Sequence, residues 1–323
     1  MVLRHESYRW MFMRRTITKP FVASLVLMLA FAPLLGCRTI ARNAQSQQTI
    51  ASRRLSRQGL EAAHQGKWAQ AESLFANALE MNQVDDRAHW GYAESQWQRG
   101  ERESAIEHME RALQLSANDP DVQIRLGRMY FEMNRITEAA NQANLALRVN
   151  RNLAEGWALR GDVLAASDKL NDSLAAYHQA LALQPNLPHV QMAVAELYAR
   201  SGRHDRVLAT LDHLQDRVSQ DNCPYQAHYL RGIALNELRR PDEARRCFAL
   251  AARVRPNDVD LLYHWADSQW KTGDLAGARS TIAQALRVEP ANNSCQSLAA
   301  QLEQAAVERI AADPHQRLET QPR

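Results

Sequence analysis

The chain has 323 residues, with 39 Lys and Arg against 36 Asp and Glu, a formal charge of +3. Residues 1–36 alone hold five basic side chains (Arg4, Arg9, Arg14, Arg15, Lys19) and one acidic one (Glu6), leaving 34 basic against 35 acidic, or −1, for the remainder. A near-neutral body of that kind gives no electrostatic case for nucleic acid, so no nucleic-acid partner is expected.

Taken in chain order, the first segment is an address. Phe21 to Leu35 is almost wholly apolar and follows the basic run Arg14, Arg15, Lys19. Fifteen residues fall short of the roughly 20 that span a bilayer but suit the core of a secretory signal. The run ends Leu34-Leu35-Gly36-Cys37, which resembles the lipobox of bacterial lipoproteins. That resemblance implies cleavage before Cys37 and acylation of Cys37, with residues 37–51 as lipid anchor and polar tether. More than one acyl chain gives durable membrane attachment. Arg38 stands where that family uses aspartate for inner-membrane retention, so the outer membrane, facing the periplasm, is the expected location.

From Ser52 onward a pattern returns every 34 residues. Ala71-x3-Phe75-x2-Ala78, Ala105-x3-Met109-x2-Ala112, Ala139-x3-Ala143-x2-Ala146 and Ser173-x3-Tyr177-x2-Ala180 share one frame. A period of this size means stacked supersecondary units in place of one globular core. With Ser52 as position 1, the units are 52–85, 86–119, 120–153, 154–187, 188–224, 225–258 and 259–292. Position 8 is small (Gly59, Ala93, Gly127, Gly161, Ala195, Gly232, Ala266), as are most residues at positions 20 and 27. Small residues there let two helices approach to about 8–10 Å between axes. Position 24 carries the bulk: Phe75, Met109, Tyr177, Leu211, Phe248, Ile282.

Glycine and proline fit the same frame. Gly66, Gly100, Gly202 and Gly273 fall at position 15, and Asn134 and Asp168 replace glycine there in the third and fourth units. These residue types tolerate a left-handed turn. Pro120 and Pro188 stand at position 1, where a helix start loses no hydrogen bond. The fifth unit breaks the pattern with Val207, Leu214 and the insertion Asp221-Asn222-Cys223, so a looser unit or a bend is expected. Residues 293–311 form a capping helix through Leu298, Leu302, Ala305 and Ile310, started by Asn293 or Ser294. The tail 312–323 is expected to be disordered.

These residues resemble the tetratricopeptide repeat family from Ser52 to Asn292. The resemblance implies an all-α, right-handed solenoid of seven helix-turn-helix units. It also implies a concave groove lined by positions 2, 5, 9 and 12 of each first helix. Carried over by position, the groove residues are Trp90, Glu94, Trp97, Arg128, Phe131, Asp162, Met192, Glu196, Tyr229, Tyr263, Asp267 and Trp270. Aromatic anchors beside charges are typical of interaction hot spots. The phrases Ala93-Glu94-Ser95-Gln96-Trp97 and Ala266-Asp267-Ser268-Gln269-Trp270 read either as paired subsites or as duplicated packing residues. The family's clamp for acidic peptide tails uses Lys and Asn at positions 5 and 9. Neither occupies those positions here, so that recognition is expected to be absent.

Chemistry is missing from the motifs. There is no H-E-x-x-H pair, phosphate-binding glycine loop or nucleophile elbow. Cys223, Cys247 and Cys295 match no metal spacing. The expectation is a non-enzymatic scaffold without cofactor or metal that binds protein partners in the bacterial cell envelope. The alternative is a scaffold for polysaccharide export, with Trp90, Trp97, Phe131, Tyr229 and Trp270 stacking on sugars.

Overall fold

A computed structural model describes residues 45–215 and 224–312, with side chains to 308. The lipobox-like run 34–37 with Cys37, the insertion at 221–223 with its Cys223, and the tail from 313 lie outside the described residues. Those residues form helices and turns and no strand. None of the helices is long and apolar enough to cross a membrane.

The helices follow the 34-residue frame. α1 spans 45–64, so it already includes residues ahead of Ser52. First helices then begin at position 1: α3 (Asp86–Arg99), α5 (Pro120–Glu132), α7 (Ala154–Ala166), α9 (Pro188–Arg200), α11 (Tyr225–Glu237) and α13 (Val259–Lys271). Second helices begin at position 17: α2 (Trp68–Met81), α4 (Arg102–Leu115), α6 (Ile136–Val149), α8 (Leu170–Leu183), α10 (His204–Gln215), α12 (Pro241–Val254) and α14 (Leu275–Val288). α15 (Asn293–Ala312) covers the end.

Position 15 turns each hairpin. Gly66, Gly100, Gly202, Gly273, Asn134 and Asp168 are left-handed there, as their residue types predict. Arg239 takes the same conformation at φ 58° in the sixth unit, without the freedom of glycine. The small residues at position 8 meet the large ones at position 24. A Cβ on Gly161 would stand 2.4 Å from Cε1 of Tyr177, and one on Gly59 would stand 2.8 Å from Cζ of Phe75. Phe75, Met109 and Phe248 are fully buried. In the fifth unit Val207, Leu211 and Leu214 are buried in one cluster with Leu174, Tyr177 and Tyr198. The larger residues of α10 therefore fill a core.

The chain forms two units, the first running to Asn118 and the second from Asp119. Two successive left-handed residues, Ala117 (φ 54°) and Asn118 (φ 62°), end the first. Within the second unit, successive first helices touch one another (α5 with α7, α7 with α9, α9 with α11, α11 with α13, α13 with α15) and so make one layer.

Turns between repeats are tied by a device that the repeat frame alone did not disclose. The position-4 side chain donates to the backbone carbonyl at position 32 of the preceding unit. This holds for His89 to Gln83 (3.1 Å), Trp157 to Arg151 (2.8 Å), Gln191 to Pro185 (3.2 Å) and Gln296 to Pro290 (2.8 Å). Each bond satisfies a carbonyl left over at a helix end. The capping helix also differs from expectation. Asn292, not Asn293 or Ser294, caps α15, its Oδ1 accepting from the Cys295 N–H at 3.1 Å, because an N-cap side chain reaches the N–H two or three residues ahead. Cys295, Leu298 and Leu302 are buried against α13 and α14 residues Leu262, Ile282 and Ala285.

Candidate functional site

The first unit presents an apolar recess. Leu60, Ala63 and His64 of α1, Trp68 and Phe75 of α2, and Arg87, Trp90, Gly91 and Glu94 of α3 enclose about 640 Å³. The absence of a side chain at Gly91 opens its floor onto the Phe75 ring. The Trp90 indole N–H donates to Glu94 Oε1 at 3.2 Å, which holds the wall of the recess in place. Polar groups stand at the rim around an apolar lining, the make-up of a pocket for an apolar side chain.

Trp97 departs from the expected groove set. It is 5% exposed, and the Arg102 guanidinium lies 4.0 Å from its ring centroid. Position 12 of this unit faces the start of α4, so Trp97 is a packing residue with little surface to offer. Trp270, its counterpart in the seventh repeat, is half-buried beside Leu262, Leu275 and Leu298. Of the two tryptophans in the duplicated phrase, Trp97 is buried and Trp270 keeps part of its surface.

In the second unit a lattice of charge crosses the first helices. Arg128 of α5 pairs with Glu155 of α7 through a short contact and stands 3.9 Å from Asp162. His189 of α9 is 3.4 Å from Glu155. The Tyr177 hydroxyl of α8 donates to Asp162 Oδ1 at 2.6 Å. Burial raises the Asp162 carboxyl above its usual range, against the pull of Tyr177 and Arg128. The hydrogen bond with His189 holds Glu155 below its usual range; desolvation opposes it, and the Arg128 charge adds to the lowering. Burial, with the Asp162 charge beside it, pushes the Tyr177 hydroxyl far up. Glu196, on the exposed side of α9, adds its charge to that environment. Arg128 and Asp162, both at position 9, thus stand 3.9 Å apart.

The remaining predicted residues are placed as follows. Phe131 is half-buried. Met192 packs against the α7–α10 core. Tyr229 and Tyr263 flank His264 at ring distances of 5.9 and 5.2 Å. Burial pushes the Tyr229 hydroxyl up to about 12, and burial lowers His264. Asp267 is taken by Lys271 at 2.7 Å, one turn along α13.

Arg87, Glu155 and His189 are site residues absent from the sequence-based set. All three stand at position 2, a groove position by the resemblance. Leu60 and Ala63, at positions 9 and 12 of the first repeat, also line the recess, although they are neither aromatic nor charged. Among the described residues no group of three or more His, Cys, Asp or Glu is placed to hold a metal ion. Cys247 and Cys295 are free thiols that burial makes less acidic.

Profiles described as "Tetratricopeptide repeat" match residues 56–122 and 229–294, and a second such profile matches 96–163. The chain is 26% identical over 298 residues to cellulose synthase operon protein C of Escherichia coli K12, covering 85% of this chain and 24% of that protein. It is 32% identical over 81 residues to the peroxisomal targeting signal receptor of Saccharomyces cerevisiae, covering 25% of this chain and 13% of the receptor. The chain thus spans a quarter or less of these curated relatives. A crystal structure of a tetratricopeptide repeat protein from Parabacteroides merdae superposes with a TM-score of 0.54 at 14% identity, covering 78% of this chain and 99% of that one. Frame, hairpins and profile matches agree: the chain belongs to the tetratricopeptide repeat family.

Proposed function

We propose that this protein is a non-enzymatic docking scaffold that seats a segment of a protein partner on its first helices. The observation that carries this reading is the recess of the first unit. Its apolar lining, Trp90 wall and polar rim of His64, Arg87 and Glu94 suit an inserted apolar side chain. The charge lattice around Arg128, Glu155, Asp162 and His189 then favours a partner carrying its own charged groups, which fixes register more than it adds affinity. Attachment to a bacterial membrane through acylated Cys37, facing the periplasm from the outer membrane, belongs to the same proposal and rests on the lipobox-like sequence.

A pull-down from detergent-solubilised membranes tests the docking claim. Trp90→Ala removes one wall and is expected to weaken capture of the wild-type partner by about tenfold; undiminished capture sinks the recess as the docking site. Palmitate labelling that disappears in Cys37→Ala supports the anchor, and unlabelled wild type ends it. A second reading, a scaffold for polysaccharide export, is favoured by the likeness to cellulose synthase operon protein C along 85% of this chain. Retention on a glycan column with no protein client would replace the first reading with the second.

A further inference from the structure

The notch between the second helix of one repeat and the first helix of the next recurs at fixed frame positions, 25, 28, 29, 32, 4 and 7. In the first unit these are Ala76, Leu79, Glu80, Gln83, His89 and Tyr92. Between α6 and α7 they are Asn144, Leu147, Arg148, Arg151, Trp157 and Arg160, around about 440 Å³. Three arginines thus replace a glutamate, a glutamine and a tyrosine, and no carboxylate lines the notch.

Three guanidiniums around one small space repel one another unless something neutralises them. Among the described residues, none of the three side chains forms an ion pair or hydrogen bond with another protein group; Arg160 lies 5.4 Å from the Trp157 ring centroid. Arg148 is in the last turn of α6, where the helix dipole favours a cation. That accounts for one arginine of the three. Elsewhere on this protein, exposed arginines do find acids: Arg99 with Glu72, Arg200 with Asp168, Arg240 with Glu243. Trp157 forms a fixed wall, because its indole N–H is committed to the Arg151 carbonyl at 2.8 Å. Apart from the Asn144 amide oxygen, the side-chain polar groups left on the lining are donors. A fitting ligand is therefore acceptor-rich and multiply charged. A lone carboxylate leaves most of the positive charge unmet, whereas a phosphomonoester or diphosphate matches both charge and donor geometry.

We infer that the α6–α7 notch binds a phosphomonoester or diphosphate group through Arg148, Arg151 and Arg160, none of which lines the recess around Trp90. The test uses the full-length chain in neutral detergent, titrated calorimetrically with pyrophosphate at low ionic strength. In parallel, phosphatidylcholine vesicles with and without phosphatidic acid are floated with the protein. Arg148→Gln and Arg160→Gln should each weaken binding by about tenfold, the loss of one charge-assisted contact. Arg253→Gln, at the same frame position as Arg148 but followed by Pro256, Leu262 and Trp265, should leave binding within about twofold. Unchanged far-ultraviolet circular dichroism confirms that each variant is folded. Pyrophosphate binding lost in the two variants assigns a soluble phosphate ligand. Phosphatidic-acid-dependent flotation lost in the same variants, without pyrophosphate binding, assigns a lipid headgroup. No binding in either arm, or binding indifferent to both substitutions, overturns the inference.

Discussion

Tyr177→Phe isolates one bond in the charge lattice. Its hydroxyl donates to Asp162 Oδ1 at 2.6 Å, while the ring is 2% exposed and lies where Gly161 leaves room for it. Deleting the oxygen keeps the ring packing and removes only the bond. A hydrogen bond to a charged group contributes about 1.5–3 kcal/mol. The Asp162 side chain keeps 22% of its surface, so water replaces part of the loss, and the expected cost near neutral pH is at the lower end, about 1.5 kcal/mol. The nearest cation, Arg128 at 3.9 Å, is too distant to take over as a hydrogen-bond donor. The pH dependence follows from the direction of the Asp162 shift. Its folded pKa is raised by burial, so its titration stabilises the fold at low pH, and that contribution is lost as pH rises through the folded value. Tyr177 opposes the rise; without it the folded pKa climbs further. Once the carboxyl is protonated in both proteins, only a neutral bond separates them, about 0.5–1 kcal/mol. Equilibrium urea unfolding, followed by circular dichroism on both sides of the carboxyl titration, measures the difference. A cost equal at both pH values, or below about 0.5 kcal/mol near neutrality, refutes the reasoning.

Three further outcomes are expected. Gly91→Ala places a methyl 2.1 Å from Phe75 Cζ, on a ring with no exposed surface; it should cost at least about 1–3 kcal/mol, and an unchanged melting temperature would contradict the packing. Arg239→Gly removes a left-handed arginine at φ 58°, worth about 1–2 kcal/mol of relief, offset by roughly 0.5–1 kcal/mol of glycine entropy; the urea midpoint should rise slightly, and a fall would count against strain at that turn. The third concerns His89 and His108, whose Nδ1 atoms are 3.0 Å apart. Burial lowers both, with Arg111 adding to the effect on His89 and His89 adding to that on His108. A depressed histidine favours the fold above its unfolded value of 6.5, and stability is lost as pH falls from there through the folded value. His108→Phe, which keeps a ring beside Tyr92, should flatten that decline; an unaltered slope would place its origin elsewhere, His228 and His264 being similarly lowered.

The helices were legible because each frame position imposes a steric demand that few residues meet. Position 8 must be small where position 24 is large, and Gly161 with Tyr177 satisfies both halves. The exceptions show where neighbours override local preference. Arg239 is driven left-handed because hairpins on both sides fix the turn, although nothing in an arginine announces that conformation. Trp97 is a groove residue by position and a core residue by contact. A frame gives the angle at which a side chain leaves the helix, not what the next helix places over it.

The position-4 ties and the arginine notch were illegible for a related reason. His89, Trp157, Gln191 and Gln296 have no common residue type, only a common N–H donor. Their shared task appears once a turn carbonyl lies within 3.2 Å. Arg148, Arg151 and Arg160 read along the chain as ordinary scattered surface charge. The turn from α6 to α7 gathers them, and the absence of any carboxylate on that lining is a property of three helix-frame positions taken together. In a repeat protein the frame conserves shape from unit to unit, so specificity has to reside in side chains that the frame leaves unconstrained. That is why two notches of one geometry, at His89 and at Trp157, can differ so completely in charge while the backbone around them stays the same.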